Sequence, residues 1–427
     1  MDASTNEAFC AWCFVLGFGF GSLVFEIPKH YKPKGQAQST KHKKLVIIRA
    51  VLKLMIAAGE PSGDAHGAAL VNALRATKSD LTFFGATGPL MRAAGVETTV
   101  NSDDLAIMGI VEVGRVFPRF IKAFRKLRDA AIQKSPDAVI LVDWPEFNLR
   151  LAAALHRRGL KVIYYISPQL WAWRPGRVSK IKENVDLLLS ILPFEADWYK
   201  AHGVDHVEFV GHPLSGEVKA RFEREEFCRR NNLDPSRPII SFLPGSRQKE
   251  VERILPPMLD AIEELRRVRP EVQTVVVIAP SRTAQETYEL MSSRNQSGIG
   301  TVVQQQTREA LAASEAAAVA SGTATLEAAL LETPMVVVYK ESPVNWHTLG
   351  RLITVQHFGL VNLVAGKEIA KELMQDNLTG KNLAQELLKL LEPEGNNAAR
   401  EQLRDVARKL GDPGASQRAA ELILSIL

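Results

Sequence analysis

Three short stretches of the 427-residue chain combine residue types that can do chemistry. In ASGTATLEAALLETPMVVVYK (320–340), a Ser–Gly–Thr turn opens a helical pattern with Leu326, Leu330 and Leu331 on one face. Pro334 then ends it before a buried-strand run. Small residues at Gly322, Thr323 and Ala324 leave the helix start open, where free N–H groups and the positive dipole end suit an anion such as phosphate. A plain helix capped by Ser321 or Thr323 is the other reading of the same residues. In RPIISFLPGSRQKEV (237–251), Arg247 follows the turn residues Gly245 and Ser246 and enters the first turn of a helix. Local dipoles disfavour a cation there, so the guanidinium points to a ligand, and its fork fits a diphosphate. In AVILVDWPEFN (138–148), Asp143 ends a buried run just before Trp144–Pro145 and a helix. It is either a helix cap, with Pro145 close behind, or a carboxylate serving as general base.

The elements around these residues are regular. Apolar runs at 54–58, 81–86, 138–144, 161–167, 185–192 and 207–211 alternate with helical segments, and the alternation resumes at 237–243, 274–280, 300–306 and 316–321. Strands separated by helices predict parallel, doubly wound sheets, and the second half repeats the first. Ligands in such sheets collect beyond the carboxyl ends of the strands. Those ends carry Glu60, Ser62 and Asp64, then Asp143, Ser167 and Gln169, and His212. VGHP (210–213) reads as the junction, and EVKARFEREEFCRRNNL (217–233) as a polar helix after it. No GxGxxG lies in a β–α unit and no GxxxxGK[ST] occurs, which removes dehydrogenase and P-loop readings. No D-x-D pair is present either, so two facing domains with a phosphate-type loop point to a nucleotide-sugar transferase that uses a cation and helix starts in place of a metal.

The chain carries a formal charge of +5. Residues 1–53 hold eight Lys/Arg against three Asp/Glu, the same +5, so the rest is formally neutral and a nucleic-acid-binding body is excluded. The apolar run 9–25 ahead of that basic segment reads as a marginal anchor, a targeting segment or a leader. Cys10 and Cys13 have C-x-x-C spacing without a second ligand pair, and three cysteines in all fit a reducing compartment. RVFPRFIKAFRKLR (115–128) sets Phe117, Phe120 and Phe124 among six cations, and WAWRPGR (171–177) adds Trp171, Trp173 and Arg174. Both read as a surface for anionic lipid or, for the helix, as a core-packed element with a solvated basic face.

Eight motifs in order, AGEPSGDAHGA (58–68), MGIVEV (108–113), VDWPEFN (142–148), SPQLWAWRPGR (167–177), FVGHP (209–213), LPGSRQKEV (243–251), SGTATLE (321–327) and NLVAGKE (362–368), resemble the lipid-A-disaccharide synthase family from residue 54 to the end. The resemblance implies a GT-B fold. Its segments would be a leader (1–44), an acceptor domain (45–214), a UDP-sugar donor domain (215–395) and C-terminal helices packing back on the first domain (396–427). It implies inverting, metal-independent and cofactor-free transfer of diacylglucosamine from its UDP derivative to diacylglucosamine 1-phosphate. Asp143 matches the general base and Arg247 the arginine facing the diphosphate. Gly245, Ser246, Ser321, Gly322, Thr323, Glu327 and Asn362 match donor-binding positions. Glu60, Ser62, Asp64 and His212 fall on the acceptor side. The sequence departs from the family at Pro61, where many members have Ala, and at Val361, where Pro is usual. The leader implies an organellar, mitochondrial member, peripheral on a membrane, and the family a homodimer exchanging C-terminal segments. The competing readings are a GT-B transferase or epimerase acting on a soluble UDP-sugar, and a catalytically silent lipid-binding homologue.

Overall fold

A computed structural model describes residues 51–104, 113–343, 346 and 355–427. The leader with its apolar run and cysteine pair, and most of the MGIVEV motif, lie outside these residues. So do the side chains of Phe117 and Trp173. The described chain builds two parallel sheets. The first contains β1 (Leu52–Ala57), β2 (Leu81–Thr87), β3 (Glu97–Asn101), β4 (Ala138–Val142), β5 (Val162–Tyr165), β6 (Leu187–Ser190) and β7 (Val207–Phe209) in the order 3-2-1-4-5-6-7. The second contains β8 (Ile239–Leu243), β9 (Gln273–Ile278), β10 (Thr301–Gln304), β11 (Ala316–Ala320), β12 (Met335–Tyr339) and β13 (Glu372–Met374) in the order 10-9-8-11-12-13. Every pairing is parallel, and both orders are Rossmann-like, with the direction of winding reversing between β1 and β4 and between β8 and β11.

The strands are near-continuous apolar runs because helices cover both faces. Along β1, Met55 and Ala57 enter the layer that holds Leu141 and Phe147, while Leu54 and Ile56 enter the opposite layer with Leu70 and Leu74. β11 splits likewise, with Ala317 and Val319 on one side and Ala316, Ala318 and Ala320 on the other. Two strands lack a sequence signal. β3 is ETTVN at a sheet edge, with its first two residues exposed, and β13 is three residues long.

Two segments differ from expectation. The polar helix expected over 217–233 forms only at Arg224–Arg230. Upstream, the Arg221 N–H and guanidinium both bind the Glu309 carboxylate, at 3.0 and 2.6 Å, which takes that backbone out of a helix. The C-terminal helices also divide. Pro393–Lys409 buries Leu403 and Val406 in the second domain's core, and only Ala415–Ser425 returns to the first, placing Ala419, Ala420 and Ile423 beside Leu70 and Leu74. The amphipathic pattern of 393–409 matches whichever core is nearest, and the reversal at Gly411–Gly414 comes only after it.

The chain thus passes between domains twice, and the two passages are tied together. The His212 N–H donates to Leu410 O at 2.8 Å. Arg418 donates to Val210 O at 2.8 Å, Pro413 O at 2.8 Å and Asp412 O at 2.6 Å. Hydrogen bonds from a charged group contribute about 1.5–3 kcal/mol when well sheltered. Arg418→Ala is expected to lower unfolding stability by roughly 1–3 kcal/mol in urea titration, discounted for partial exposure.

Candidate active site

Each sheet's reversal point opens a crevice beyond the carboxyl ends of its two central strands. In the first sheet the loops there follow β1 (58–60) and β4 (143–144). In the second they follow β8 (244–247) and β11 (321–323). The topology therefore gathers Glu60 and Asp143 at one crevice and Arg247 with Ser321–Thr323 at the other.

The β4 loop is the most strained point near either crevice. Asp143 and Trp144 both have positive φ, 46° and 54°, in a region non-glycine residues rarely enter. Three groups hold this turn. The Tyr164 hydroxyl donates to Asp143 O at 2.7 Å. The buried Asn148 amide donates to Asp143 O at 2.8 Å and to Val142 O at 3.2 Å. The Trp144 ring stacks on Phe147 with centroids 3.9 Å apart and lies flat against Gly59, where a Cβ would meet Trp144 Cδ2 at 2.1 Å. Only glycine fits at 59 while the indole is there. The helix Pro145–His156 has Trp144 at its N-cap and no side-chain capping bond, so Asp143 does not serve as that cap.

With its backbone fixed, the Asp143 carboxyl is pushed up to about 7, first by loss of solvent, then by the charge of Glu60, against a backbone hydrogen bond from Trp144. Glu60 stands at the N-cap of Pro61–Thr77 without capping it. Its own pKa is raised by desolvation and lowered by Arg247, although the side chain opens to the cleft. Asp143, Glu60 and Arg247 are thus electrostatically coupled in series across the two domains. A carboxylate poised near neutrality is suited to taking a proton from a hydroxyl.

In the second domain, Gly245 and Gly322 take φ of 114° and 151°, a backbone region that favours glycine. Arg247 is exposed at the N-cap of Gln248–Val268, one residue ahead of the expected first turn, and Ser246 is exposed beside it. Glu250 accepts from the N–H groups of Ser246 and Arg247 at 3.1 and 3.4 Å. The helix after the Ser–Gly–Thr turn is only Ala324–Leu330. Thr323, at its cap position, makes no side-chain capping bond, and the Ser321 hydroxyl donates to Phe358 O at 2.7 Å. Glu327 lies behind the loop with Arg308 at 3.2 Å. Among the described residues no three His, Cys, Asp or Glu side chains converge to hold a metal ion.

Several expected ligands do structural work instead. Ser62 is exposed beside Glu60. Asp64, however, is buried and accepts the N–H groups of Gly88, Leu90 and Met91 at 2.8, 2.7 and 3.1 Å, so its oxygens fix the start of helix Pro89–Ala93 rather than an acceptor. His212 is buried at the interdomain passage, where Nδ1 accepts from the Leu214 N–H at 3.2 Å. Burial and nearby His66 push it down to about 4, so it is neutral. Asn362 is fully buried, with its Nδ2 on Ala370 O and Glu372 Oε1 and its Oδ1 on the N–H groups of Ile369 and Ala370. Glu372 in turn accepts from the N–H groups of Phe358 and Gly359, so Asn362 positions the segment that Ser321 grips.

The aromatic surface is also corrected. Trp171 is buried and donates through Nε1 to Glu195 at 3.0 Å, because the loop folds into the interdomain core. Phe120 packs on Trp144 and Phe147, with centroids 5.8 and 5.9 Å apart, and Phe124 on Phe147 at 6.0 Å. In Val113–Lys134 Phe120 and Phe124 therefore brace the Asp143–Trp144 turn, while Arg119, Lys122, Arg125 and Lys126 face out. Arg174 is half-buried against Glu146 at 3.3 Å. Sequence reading missed Tyr164, Asn148 and Phe147. Only VDWPEFN, with its bulky residue before a proline-started helix, carried any signal of that turn.

Two crevices, a poised carboxylate on one and anion-type loops on the other, define a GT-B glycosyltransferase. Solved structures share this fold. The glycotransferase of kitacinnamycin matches with a TM-score of 0.60 at 16% identity, over 89% of this chain and 100% of that one. The UDP-GlcNAc 2-epimerase from Neisseria meningitidis, bound to UDP-GlcNAc, matches with a TM-score of 0.55 at 12% identity, over 88% and 98%. At such identity the likeness concerns the fold alone. The lipid-A-disaccharide synthetase family profile matches residues 54–426. Lipid-A-disaccharide synthases of Trichlorobacter lovleyi and Geobacter sulfurreducens are 43% and 41% identical, each over 88% of this chain and 97% of theirs. The chain belongs to the lipid-A-disaccharide synthase family.

Asp143→Asn is expected to lower kcat/KM by roughly 10²–10⁴-fold, and wild-type kcat/KM to rise with pH through about 7 as the carboxyl ionises. Because the folded pKa is raised, ionisation costs stability as pH climbs from 3.8 to about 7. The Asn variant should therefore resist denaturant better than wild type at pH 8, with the gap closing toward pH 4. A less stable variant at pH 8 would count against this account.

Proposed function

We propose that the chain transfers 2,3-diacylglucosamine from its UDP derivative to 2,3-diacylglucosamine 1-phosphate, forming the β-1,6-linked tetraacyl disaccharide 1-phosphate and UDP. The observation that carries the proposal is the Asp143 carboxyl, pushed up to about 7 at the first crevice and coupled through Glu60 to the exposed Arg247 at the second. Asp143 removes the proton of the acceptor 6-hydroxyl as its oxygen attacks the anomeric carbon. The bond to the diphosphate breaks on the opposite face, inverting that centre. Charge on the departing UDP falls to Arg247, Ser246 and the Gly322–Thr323 backbone. Ser321 and Glu327 complete the donor seat, and Glu60 and Ser62 border the acceptor.

A membrane-surface location belongs to the same proposal. It is supported by the outward cations Arg119, Lys122, Arg125 and Lys126 on the helix that braces the base, since the four-acyl product stays in a bilayer. Among the described residues no helix is long and apolar enough to cross a membrane. The mitochondrial location rests on the resemblance and on the segment that precedes the matched residues 54–426, not on a transit-peptide pattern. A homodimer exchanging C-terminal segments would reuse the face on which Ala415–Ser425 rests against Pro61–Thr77.

The test is to incubate the full chain with both acylated substrates and follow product by mass spectrometry. Disaccharide 1-phosphate and stoichiometric UDP are expected. Turnover of UDP-N-acetylglucosamine but not of the acylated donor would instead favour a soluble substrate. In the same assay, Arg247→Ala should raise the donor KM by roughly tenfold or more, the scale of losing one charge-assisted bond to phosphate.

A further inference from the structure

The loop after β5 is a second strained strand end beside the base. β5 pairs with β4 in parallel, Val142 standing opposite Tyr165, so the loops that begin at Asp143 and Ile166 leave the sheet side by side. The Asp143 N–H donates to Tyr165 O at 3.0 Å, which joins the two loop starts. Ile166 has a φ of 65°, and for a β-branched residue that is a genuine outlier. Strain of this kind persists only where the surroundings over-determine it, and it gathers at ligand clamps.

One short helix, Pro193–Ala201, holds this loop. Its buried Glu195 carboxyl accepts from the Ser167 hydroxyl at 2.7 Å, the Trp171 indole N–H at 3.0 Å and the Leu192 N–H at 3.1 Å. Tyr199, one turn further along, donates its hydroxyl to Pro168 O at 2.5 Å. The N–H groups of Ile166 and Ser167 both donate to Leu189 O, at 3.0 and 3.2 Å. Burying a carboxyl is costly, and an apolar side chain would fill the same space more cheaply. What the carboxyl adds is direction, because it ties two side chains of the loop to one point. Ser167, Pro168, Leu170 and Trp171 are buried by this arrangement, while Gln169 in their midst is exposed. Its side-chain amide caps no helix and has no hydrogen-bond partner among the described residues. The loop thus presents one free amide at the strand end next to the base.

We infer that Gln169 binds the acceptor through its 4-hydroxyl, and that Glu195 is the positioning residue that holds Gln169 beside Asp143. This rests on the acceptor proposed above. In that sugar the 1, 2 and 3 positions carry phosphate or acyl groups and the 6-hydroxyl attacks, so the 4-hydroxyl is the one other free hydroxyl. It stands on the ring carbon next to the one that bears the attacking arm. A group that fixes it therefore also sets where the 6-oxygen meets the base. A hydroxyl both donates and accepts, and a primary amide complements both capacities. Neither Gln169 nor Glu195 takes part in bond making.

The test compares full-length wild type, Gln169→Ala, Glu195→Gln and the double variant at saturating donor. The acceptors are 2,3-diacylglucosamine 1-phosphate and its 4-deoxy analogue. With the natural acceptor, Gln169→Ala should raise the acceptor KM roughly threefold to tenfold, the scale of one neutral hydrogen bond, and leave the donor KM unchanged. With the 4-deoxy acceptor, wild type and Gln169→Ala should perform alike. A loss of the same size on both acceptors places the amide elsewhere and overturns the contact, as does an unchanged KM. Glu195→Gln should raise the acceptor KM in the wild-type background and add nothing to Gln169→Ala. Losses that simply add mark Glu195 as structural and overturn its positioning role. Where Glu195→Gln fails to fold, Ser167→Ala removes one bond of the same anchor and takes its place in the cycle. Calorimetry with acceptor and no donor reads the contact without turnover. Weaker binding to Gln169→Ala that vanishes with the 4-deoxy analogue supports the inference even if no disaccharide forms. Equal binding of wild type and Gln169→Ala, alongside normal disaccharide formation, overturns this inference and leaves the reaction standing.

Discussion

The left-handed pair at Asp143 and Trp144 is the constraint on which the first domain's chemistry depends. Two consecutive non-glycine residues at positive φ cost of order 1–3 kcal/mol each, so the turn persists only because its surroundings over-determine it. Hydrogen bonds from Tyr164 and Asn148 fix the carbonyls on either side of the Asp143 Cα. The indole fills the space that Gly59 leaves and stacks on Phe147, and Phe120 closes it from the next helix. The result is a desolvated carboxyl at a strand end with little freedom to relax toward a helix cap. Such a cap would stabilise the ionised form and leave the carboxyl too acidic to serve as a base near neutrality.

The same constraint explains how the two domains communicate. Glu60 lies between the base and Arg247 in charge, raising the first and being lowered by the second. The separation of the domains therefore enters the acidity of Asp143 through Coulomb coupling, without any bond between the crevices. The paired passages at 210–213 and 410–414, held by Arg418, limit how that separation changes. A donor diphosphate that engages Arg247 also alters what Glu60 experiences.

Much of the architecture was legible because parallel strands buried on both faces have to be apolar. The runs at 138–142, 239–243 and 316–320 announce themselves, whereas the edge strands Glu97–Asn101 and Glu372–Met374 do not, being short and partly polar. The strand-end rule pointed to Glu60 and Asp143, which lie at the first reversal point, while turn and dipole arguments pointed to Ser321 and Arg247, which lie at the second. It could not tell ligands from braces. Asp64 and Asn362 have residue types that bind substrates, but their partners are backbone groups far along the chain, at 88–91 and 369–370. Helical spacing likewise showed that Phe120 and Phe124 share a face. Whether that face meets lipid or Trp144 depends on a tertiary contact that periodicity does not encode.

The two crevices also show why one topology can supply opposite chemistries. A leaving diphosphate requires donors, and in the proposed reading the second domain offers the exposed Arg247 guanidinium beside the small residues of the Gly322–Thr323 turn, the Ser246 and Arg247 N–H groups being taken up by Glu250. An attacking hydroxyl requires an acceptor, and in the proposed reading the first domain offers the Asp143 carboxyl by the reverse device, a bulky wedge that consumes the space around the strand end. If the β4 loop were small and glycine-rich, its N–H groups would stabilise the Asp143 carboxylate and pull its pKa down. If the β11 loop were bulky, the diphosphate could not approach the backbone. The direction of transfer follows from which crevice received the wedge.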